Sequence, residues 1–409
     1  MPASRSNPTR PSKQPWSDPL IKDRRTSQPF RIGVLFSQSG VTAATEDSML
    51  KATTFAIEEV NAAGGIDGRE LIAVHYDPGS LPQNYGRYAD RLLSEDGVRV
   101  IIGCYMSNAR KAVLPIVERR NCLLCYPAQF EGFEYSRNII YGGAVPNQNS
   151  AQLGDYLLEH VGTRFYMVGS DYIWPQESDR IMSEIVTERS GEVVGERYFK
   201  MDAPQSAYVP LIKDIKKQQP DVIFCNFVGT NITHFYQAYA EAGLDPKTMP
   251  IASLTTSEAD ILASGVEVGV GHITSAPYFQ TVDTDANRRC IERYRKRFGD
   301  QEVTNMCWEA AYTQVHLVAE ALRQTGSDDI DLLRPAILGR EYDAPQGRIR
   351  VDPDNGHTYL WPRIGRGRAD GLFEIIRQPD YPLKPNPYLI SHSTHDWGSK
   401  LTSKKPTGA

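Results

Sequence analysis

The sequence predicts an α/β fold in which two Rossmann-like lobes, each built on a parallel sheet, enclose a ligand cleft. Two observations predict this class. The first is length, because 409 residues exceed what one ordinary hydrophobic core organises. The second is an alternation of short apolar runs with segments of helical spacing, which begins at Arg31 and begins again at Asn147. Strands joined by helices form parallel sheets with right-handed crossovers.

The composition is that of a soluble globular protein, with 40% hydrophobic and 23% charged residues. A net charge of −5 and the lack of a Lys/Arg cluster give no reason to expect direct binding of nucleic acid. No apolar run approaches the roughly 18 residues of a membrane-spanning helix. Residues 1–29 are rich in Pro, Ser and charge, and no apolar segment follows Arg24-Arg25, so we expect a disordered leader without an export signal.

The first series opens with a strand at Arg31–Phe36, which has the alternation of a core element. A long helix follows, and glycines within residues 61–68 end it. Its apolar stripe consists of Met49, Ala52, Phe55, Ala56 and Val60. A second strand is predicted at Leu71–Tyr76 and a second helix at Leu81–Ser94, where Pro82 suits the first turn.

The stretch from residue 98 to residue 135 carries the main candidate site. It predicts a buried strand that stops at Gly103, a loop, a helix capped by Ser107, and a strand at Cys122–Cys125. Neighbouring parallel strands bring the residues that follow them to one edge of the sheet, where open α/β sheets bind ligands. We therefore place four side chains at this edge: Tyr105, Ser107, Tyr126 and Gln129.

Residues 139–146 are predicted to form a crossover into the second series. Strands of that series are predicted at Arg164–Gly169, Glu192–Tyr198, Asp221–Phe227, Met249–Ser253 and His272–Ala276. Its helices are predicted at Gln148–His160, Gln176–Arg189, Tyr208–Gln218 and Ile232–Ala242. Three more helices, at Asp285–Phe298, Asn305–Gln324 and Asp329–Leu338, precede short β-like runs at Ala344–Arg377.

Hydroxyl and aromatic side chains recur at strand ends in both halves of the chain. They are Ser37, Ser39, Tyr105, Ser107, Tyr126, Tyr172, Trp174, Thr230, Thr255 and Thr256. Ligand clefts combine aromatic walls with a few placed polar groups, so the recurrence favours one shared cleft over ordinary loop chemistry. A helix that begins at Ser107 also offers free N–H donors to a ligand oxygen, although a plain N-cap explains Ser107 equally well.

Catalytic motifs are missing from the sequence, which contains no GxSxG, HExxH or P-loop. We therefore expect a protein that is not an enzyme and uses no cofactor or metal. Asp171 and Glu131 are carboxylates that could act as general bases or anchor a ligand NH₂ group, although such acids are more often exposed or capping. Cys122 and Cys125 form a CxxC, but residues three apart in a strand point to opposite faces, which favours buried structural thiols.

Six segments resemble one protein family: GCYMSNARKAVLP, CYPAQFEGFEYS, YGGAVPNQN, GSDYIWP, LTTSEA and YDAPQG. They are similar to the type I periplasmic-binding-protein fold, in the branch of amide-sensing regulators and of the substrate-binding subunits of urea and amide ABC transporters. The resemblance spans Phe30 to Ile390 and implies two lobes joined by three crossovers. We expect lobe 1 to comprise residues 30–145 and 277–346, lobe 2 to comprise residues 146–276 and 347–390, and residues 391–409 to form a flexible tail.

The resemblance also implies ligand contacts from five loops. Carried over to this sequence, these contacts are Tyr105 and Ser107, Tyr126, Tyr172, Val228 with Gly229 and Thr230, and Thr255. Two residues depart from the pattern of the amide regulators, namely Gln129 and Trp174. Because a glutamine amide can both donate and accept, Gln129 suits a second NH₂ group and favours urea or a similar ligand over acetamide.

The function that the resemblance implies is a sensor of a short aliphatic amide or urea, whose lobe closure signals to a regulatory partner of the antiterminator type. We expect a homo-oligomer, and we expect it to be cytoplasmic because no export signal is apparent. The alternative is the substrate-binding component of an ABC transporter, which has a permease as its partner and is periplasmic if an export signal is missing from this chain. An amino-acid receptor with a carboxylate held at Ser107, and an amide-hydrolysing enzyme, are the remaining hypotheses.

Overall fold

The computed structural model describes residues 28–388, so most of the predicted leader and the whole tail at 391–409 lie outside it. Its first half contains β1 (Phe30–Leu35), α1 (Ala43–Ala62), β2 (Leu71–Tyr76), α2 (Pro82–Ser94), β3 (Val100–Gly103), α3 (Ser107–Arg119), β4 (Leu123–Tyr126), β5 (Ile139–Tyr141), α4 (Ser150–His160), β6 (Arg164–Ser170), α5 (Ile173–Glu188) and β7 (Glu192–Phe199). Its second half contains α6 (Tyr208–Gln218), β8 (Val222–Asn226), α7 (Thr230–Glu241), β9 (Ile251–Ser253), α8 (Glu258–Ser264), β10 (Ile273–Ala276), α9 (Asp285–Phe298), α10 (Met306–Thr325), α11 (Ile330–Ile337), β11 (Glu341–Ala344), β12 (Gly347–Val351), β13 (Thr358–Tyr359), β14 (Arg363–Gly367) and β15 (Phe373–Arg377).

The first sheet has five parallel strands in the order β2-β1-β3-β4-β5, which confirms the predicted class for this part of the chain. The prediction that the crossover begins at residue 139 was wrong. Ile139 lies opposite Leu124, and Ile139–Tyr141 forms the edge strand β5. A run of three apolar residues is too short for its period to be recognised in the sequence, and the crossover begins only at Gly142.

The second sheet has seven strands in the order β15-β14-β10-β9-β8-β6-β7. The five strands from β6 to β10 are parallel, as predicted, whereas β14 and β15 are antiparallel to β10 and to each other. The glycine-rich segment 365–371 supplies the end of β14 as well as the turn into β15. Gly371 lies in that turn with φ +80°.

A third, small sheet consists of β11, β12 and β13 and is antiparallel. Its first hairpin pairs Ala344 with Gly347, so the lobe boundary that we predicted after residue 346 falls within this hairpin, where its turn meets β12. A bridge from His357 to Tyr141 links this sheet to β5 of the first sheet. The full division of the chain between the lobes stays a prediction.

The hydrophobic core lies on both faces of the two large sheets, and strands β3, β4 and β8 are buried along their whole length. In the first lobe, α1 packs against α10. Trp308 on α10 is fully buried and stacks on Tyr312, with 5.2 Å between ring centroids. Within residues 28–388, no helix is both long and apolar enough to cross a membrane.

The chain passes between the two large sheets three times, after β5, after β10 and before β14. Arg363, buried at the start of β14, ties two of these passages together. Its guanidinium donates to the carbonyls of Pro277, Gln346 and Trp361. The Gln346 side chain in turn donates to the buried carboxylate of Glu309 on α10. The passages are therefore held to each other by hydrogen bonds from one cation.

Candidate functional site

Ser107 lies at the end of the first sheet where β3 leads into α3. The loop turns sharply at Cys104, which has φ +68° and is buried. Met106, with φ −76° and ψ 144°, occupies the N-cap position, and Ser107 is the first residue of the helix. The prediction that Ser107 caps the helix was therefore wrong. The residues that follow Met106 still present the unpaired N–H groups of a first helical turn at this edge.

The Ser107 side chain belongs to a buried ionic network instead. Its Oγ donates to Oε2 of Glu131 over 2.7 Å. Arg110, one turn further along α3, donates to both carboxylate oxygens of Glu131, over 2.7 and 3.2 Å, and to Oε1 of Glu134 over 2.8 Å. The side chain of Arg110 is 0% exposed and that of Glu131 is 4% exposed. Every charge of this network thus has a counter-charge inside the protein.

Tyr126, at the end of β4, contacts the same network through its ring. The Arg110 guanidinium lies 4.9 Å from the centroid of the Tyr126 ring and 4.8 Å from that of Phe130. The Tyr126 hydroxyl donates to the carbonyl of Tyr105 over 2.8 Å. Burial raises the pKa of Tyr126, so its hydroxyl stays protonated at neutral pH. The sequence therefore correctly placed Tyr105, Ser107 and Tyr126 at one edge.

Gln129 is 7% exposed and does not point freely into a cleft. Its Nε2 donates to the carbonyl of Leu254, at the end of β9, over 2.9 Å, and lies 2.8 Å from Sδ of Met306. The Sγ of Cys307 lies 3.9 Å from its Oε1. The amide that we expected to meet a second ligand NH₂ group is thus engaged by the protein, and it joins the first lobe to the second.

The second lobe brings Tyr172 towards this edge. Tyr172 occupies the N-cap position of α5, is half-buried, and interacts electrostatically with Tyr126, Glu131 and Arg110. Helices α3 and α5 are in contact, so the beginnings of two helices from different lobes meet here. The first turns of both helices supply N–H donors.

Trp174 is not a cleft wall of the kind that the sequence predicted. Helix α5 begins at Ile173, three residues before the predicted start, so Trp174 lies in its first turn. The indole is 4% exposed and belongs to the core cluster of the second lobe with Leu157 and Met182. The helical turn directs it into the core, whereas an extended loop would have left it between the lobes.

Thr255 and the segment 228–230 also lie at strand ends of the second lobe. The Thr255 hydroxyl donates to the carbonyl of Phe227 over 2.7 Å and therefore holds the ends of β8 and β9 together. Val228 is buried, and its N–H donates to Oγ of Ser170. Thr230 is exposed at the start of α7. The hydroxyls of Thr255 and Ser170 thus hold the loops that follow β8 and β9.

Two further contacts join the lobes directly. The N–H of Thr230 donates to the carbonyl of Val41, in the loop after β1, over 3.1 Å. Gly229, with φ +59°, makes this approach possible, because a Cβ at that position would lie 2.2 Å from the Val41 oxygen. Thr45 on α1 donates to the carboxylate of Asp260 on α8. The lobes are therefore closed on each other.

The two carboxylates that the sequence singled out accept hydrogen bonds from the protein, and the cysteines are buried. Both oxygens of Glu131 are engaged by Arg110 and Ser107, and Asp171 is exposed and accepts from Gln176. All six cysteines are buried and free, and burial raises the pKa of Cys125 to about 12. In the described part of the chain, no three His, Cys, Asp or Glu residues lie close enough to hold a metal ion.

Sequence reasoning missed Arg110, the cation at the centre of the site. One signal was present, because Arg110 follows Ser107 by three residues and so shares its face of α3. It also missed Asp260 and helix α8, which is only seven residues long and begins with a capping box between Ser257 and Asp260. Short elements and pairings between distant segments leave little trace in one sequence.

Two α/β lobes, three passages of chain between them, and polar side chains facing each other across the junction define a two-lobed solute-binding protein. The family model described as "Periplasmic binding protein domain" matches residues 30–394, and the chain belongs to that family. This match agrees with the type I periplasmic-binding-protein fold that we predicted. It does not separate the amide and urea branch from the rest of the family.

Relatives and solved structures agree with this assignment. The Leu/Ile/Val-binding protein homolog 6 of Brucella melitensis is 24% identical over 321 residues, which are 74% of this chain and 82% of the relative. A Pseudomonas aeruginosa protein named as binding leucine, isoleucine, valine, threonine and alanine is 21% identical, over 79% of this chain and 86% of its own. A solute-binding protein of an ABC transporter from Rhodopseudomonas palustris BisB5, solved with 3,4-dihydroxybenzoic acid, has a TM-score of 0.79 at 23% identity and covers 87% of this chain and 98% of its own.

Proposed function

We propose that this protein binds a small neutral amide or urea between its lobes and delivers it to an ABC permease as the substrate-binding component of a transporter. Its membership of the periplasmic binding protein family and its likeness to proteins named as solute-binding support the transport role. The particular ligand class rests on the charge balance of the site and on the resemblance to the amide and urea branch.

One observation carries the choice of a neutral ligand: the charged groups beside the site residues already have partners within the protein, and the cation among them is paired with two carboxylates. Arg110 is paired with Glu131 and Glu134. Asp260, which interacts electrostatically with Tyr105, accepts from Ser257 and Thr45. A ligand carboxylate buried here would lose its hydration without gaining an unpaired cation, which costs several kcal/mol or more.

The relatives include proteins named for amino acids, and neighbouring structures hold a dihydroxybenzoate or isoleucine. Such ligands carry at least one full charge. An amino acid or a benzoate would need a free cation for its carboxylate, whereas Arg110 is already paired with Glu131 and Glu134. Urea and short amides need only hydrogen bonds, which the hydroxyls and helix N–H groups of this edge can supply.

A ligand that contacts both lobes favours the closed form, because it adds interactions that the open form lacks. Contacts between the lobes, such as those from Gln129 to Leu254 and from Thr45 to Asp260, act in the same direction. Ligand binding and lobe closure are then coupled, which is how a permease would distinguish the loaded protein from the empty one.

A second candidate is a cytoplasmic, oligomeric sensor that signals to an antiterminator-type protein. The segments GCYMS and LTTSEA, through which the chain resembles the amide-sensing branch, favour it. Copurification of this protein with an RNA-binding protein, released by the ligand, would support the sensor. Ligand-dependent binding to a permease in vesicles would support the transporter.

Calorimetric titration of ligand-free protein tests the ligand class. The titrants are urea, formamide, acetamide and butyramide, with guanidinium, glycine, leucine and 4-hydroxybenzoate as the charged comparison set. We expect one of the neutral compounds to bind most tightly and the charged set to bind at least tenfold more weakly. Preferred binding of leucine or of the benzoate would contradict the proposal and place this protein with its charged-ligand relatives.

A further inference from the structure

The Ser107 hydroxyl donates its only proton to the Glu131 carboxylate. Oγ of Ser107 lies 2.7 Å from Oε2 of Glu131, and Arg110 donates to both oxygens of that carboxylate, which therefore acts as an acceptor. A serine hydroxyl has one proton and two acceptor sites. Nη1 of Arg110 occupies one acceptor site from 3.3 Å. What Ser107 can still offer to a ligand is one lone pair.

Tyr126 is restricted in the same way. Its hydroxyl proton is directed at the carbonyl of Tyr105, 2.8 Å away, with the carbonyl of Gln129 at 3.3 Å as a second acceptor. Ser107 and Tyr126 both contact the Arg110 guanidinium, so the two side chains are neighbours. A ligand that reaches Ser107 and Tyr126 meets two hydroxyl oxygens whose protons already donate to Glu131 and to the carbonyl of Tyr105.

The donors at this edge come from the backbone. The first turn of α3, which starts at Ser107, has N–H groups without partners inside the helix. A ligand with a carbonyl oxygen next to an NH₂ group complements both features, since its oxygen accepts from the backbone and its N–H groups donate to the hydroxyls. A carboxylate of the same shape presents a second oxygen to the two hydroxyl lone pairs, which is repulsive.

We infer that Glu131, acting through Ser107, fixes the direction of hydrogen bonding in the site, so that the protein selects a primary amide or urea over the carboxylate of the same shape. Glu131 is a positioning residue in this scheme, because Ser107 and not Glu131 contacts the ligand. The inference rests on the proposed function and adds to it the residue that sets the specificity.

The test uses isosteric pairs, acetamide against acetate and formamide against formate, titrated at pH 7 into the wild-type protein and into Glu131→Gln. Arg110 keeps Glu134 in this variant, while Ser107 loses its obligatory acceptor and the site gains one positive charge. We expect the wild type to prefer each amide by about 100-fold or more, because a site built for an N–H group rejects the analogue that lacks it. Glu131→Gln should lower this preference at least tenfold.

Glu134→Gln is the matched control. It removes the same charge from Arg110 and does not touch Ser107, so the amide preference should stay within threefold of the wild type. An equal loss of both ligands in Glu131→Gln, or an equal shift in Glu134→Gln, would overturn the inference and leave Glu131 a structural ion-pair partner. A wild-type protein that binds none of the amides or urea would refute the proposed function, and the inference with it.

Should Glu131→Gln fail to fold, substitutions at Ser107 provide the same answer. Ser107→Ala removes the lone pair and should weaken acetamide at least tenfold without weakening acetate. Ser107→Thr keeps the hydroxyl and should restore most of the amide preference. Equal weakening of acetamide and acetate in Ser107→Ala would contradict the inference.

Discussion

Thr45 of the first lobe donates a hydrogen bond to Asp260 of the second lobe, with 3.2 Å between Oγ1 and Oδ1. The carboxylate also accepts from the N–H and the hydroxyl of Ser257 at the start of α8. Both partners are buried, and burial raises the pKa of Asp260. The contact exists only while the lobes are closed, so it stabilises the closed form directly.

We therefore expect Thr45→Val to shift the protein towards the open form. The loss of one hydrogen bond of about 0.5–1.5 kcal/mol should weaken ligand binding by about 2- to 13-fold. Calorimetric titration measures the affinity, and small-angle scattering measures the change in size on ligand addition. Thr53→Val is the control, because Thr53 lies on the same helix and its hydroxyl donates only to the carbonyl of Met49. Similar losses of affinity in both variants would show that the Thr45 contact does not govern closure.

Gly229→Ala should block closure sterically. Its new Cβ would lie 2.2 Å from the carbonyl oxygen of Val41 on the other lobe. We expect the affinity to fall at least tenfold, because the closed form cannot be reached without moving that loop. Gly243→Ala is a matched control, since Gly243 also has positive φ but has open space around its Cβ position. It should lower the melting temperature and leave the affinity nearly unchanged. Equal affinities of the two variants would contradict this interpretation of Gly229.

Gln129→Met tests whether the Gln129 amide contacts the ligand or only the protein. The structure engages its Nε2 with the carbonyl of Leu254. We expect the variant to weaken urea and acetamide by the same factor, about 3- to 10-fold, because the lost interaction belongs to the lobe junction. A selective loss of urea, seen by titrating both ligands, would restore the role for Gln129 that the sequence predicted.

Glu46 makes the stability depend on pH. It is fully buried, accepts from Ser37, Thr42 and Tyr85, and burial raises its pKa to about 7. The folded protein therefore binds a proton that the unfolded chain releases above about pH 4.5. Stability from this group is present at low pH and is lost as the pH rises through about 7.

The measurement compares the wild type with Glu46→Gln by scanning calorimetry at pH 5 and pH 8. The difference in the free energy of unfolding, wild type minus variant, should fall by about 2–3 kcal/mol between these pH values. Glu258 and Glu309, with pKa values raised by burial to about 8 and about 7, contribute equally to both proteins and cancel in the difference. A difference that rises with pH would contradict the assignment.

Much of the fold could be predicted from the sequence, because long elements have strong periods. Helices Tyr208–Gln218 and Asp285–Phe298 were predicted with the ends that the structure shows. Gly299, with φ +118°, follows the second of them and ends it. Strand β5 and helix α8, of three and seven residues, are too short to show a period of their own.

The site could be predicted only in part. Placement of Tyr105, Ser107 and Tyr126 at one edge follows from the parallel sheet rule. The pairing of Arg110 with Glu131 does not follow from it, because this contact joins residues 21 apart on different elements. The direction of the Trp174 side chain depends on where α5 begins, and a shift of three residues moves it from a loop into the core.

Arg363 has a consequence for the way in which the lobes can move. One guanidinium holds the carbonyls of Pro277 and Trp361, which lie on two of the three passages of chain between the sheets, and that of Gln346 in the turn between β11 and β12. Sliding one passage past the other would break these charge-assisted hydrogen bonds, whereas a rotation that carries both passages together leaves them intact. The buried arginine is thus compatible with a hinge motion of the lobes and opposes a shear motion between the two passages.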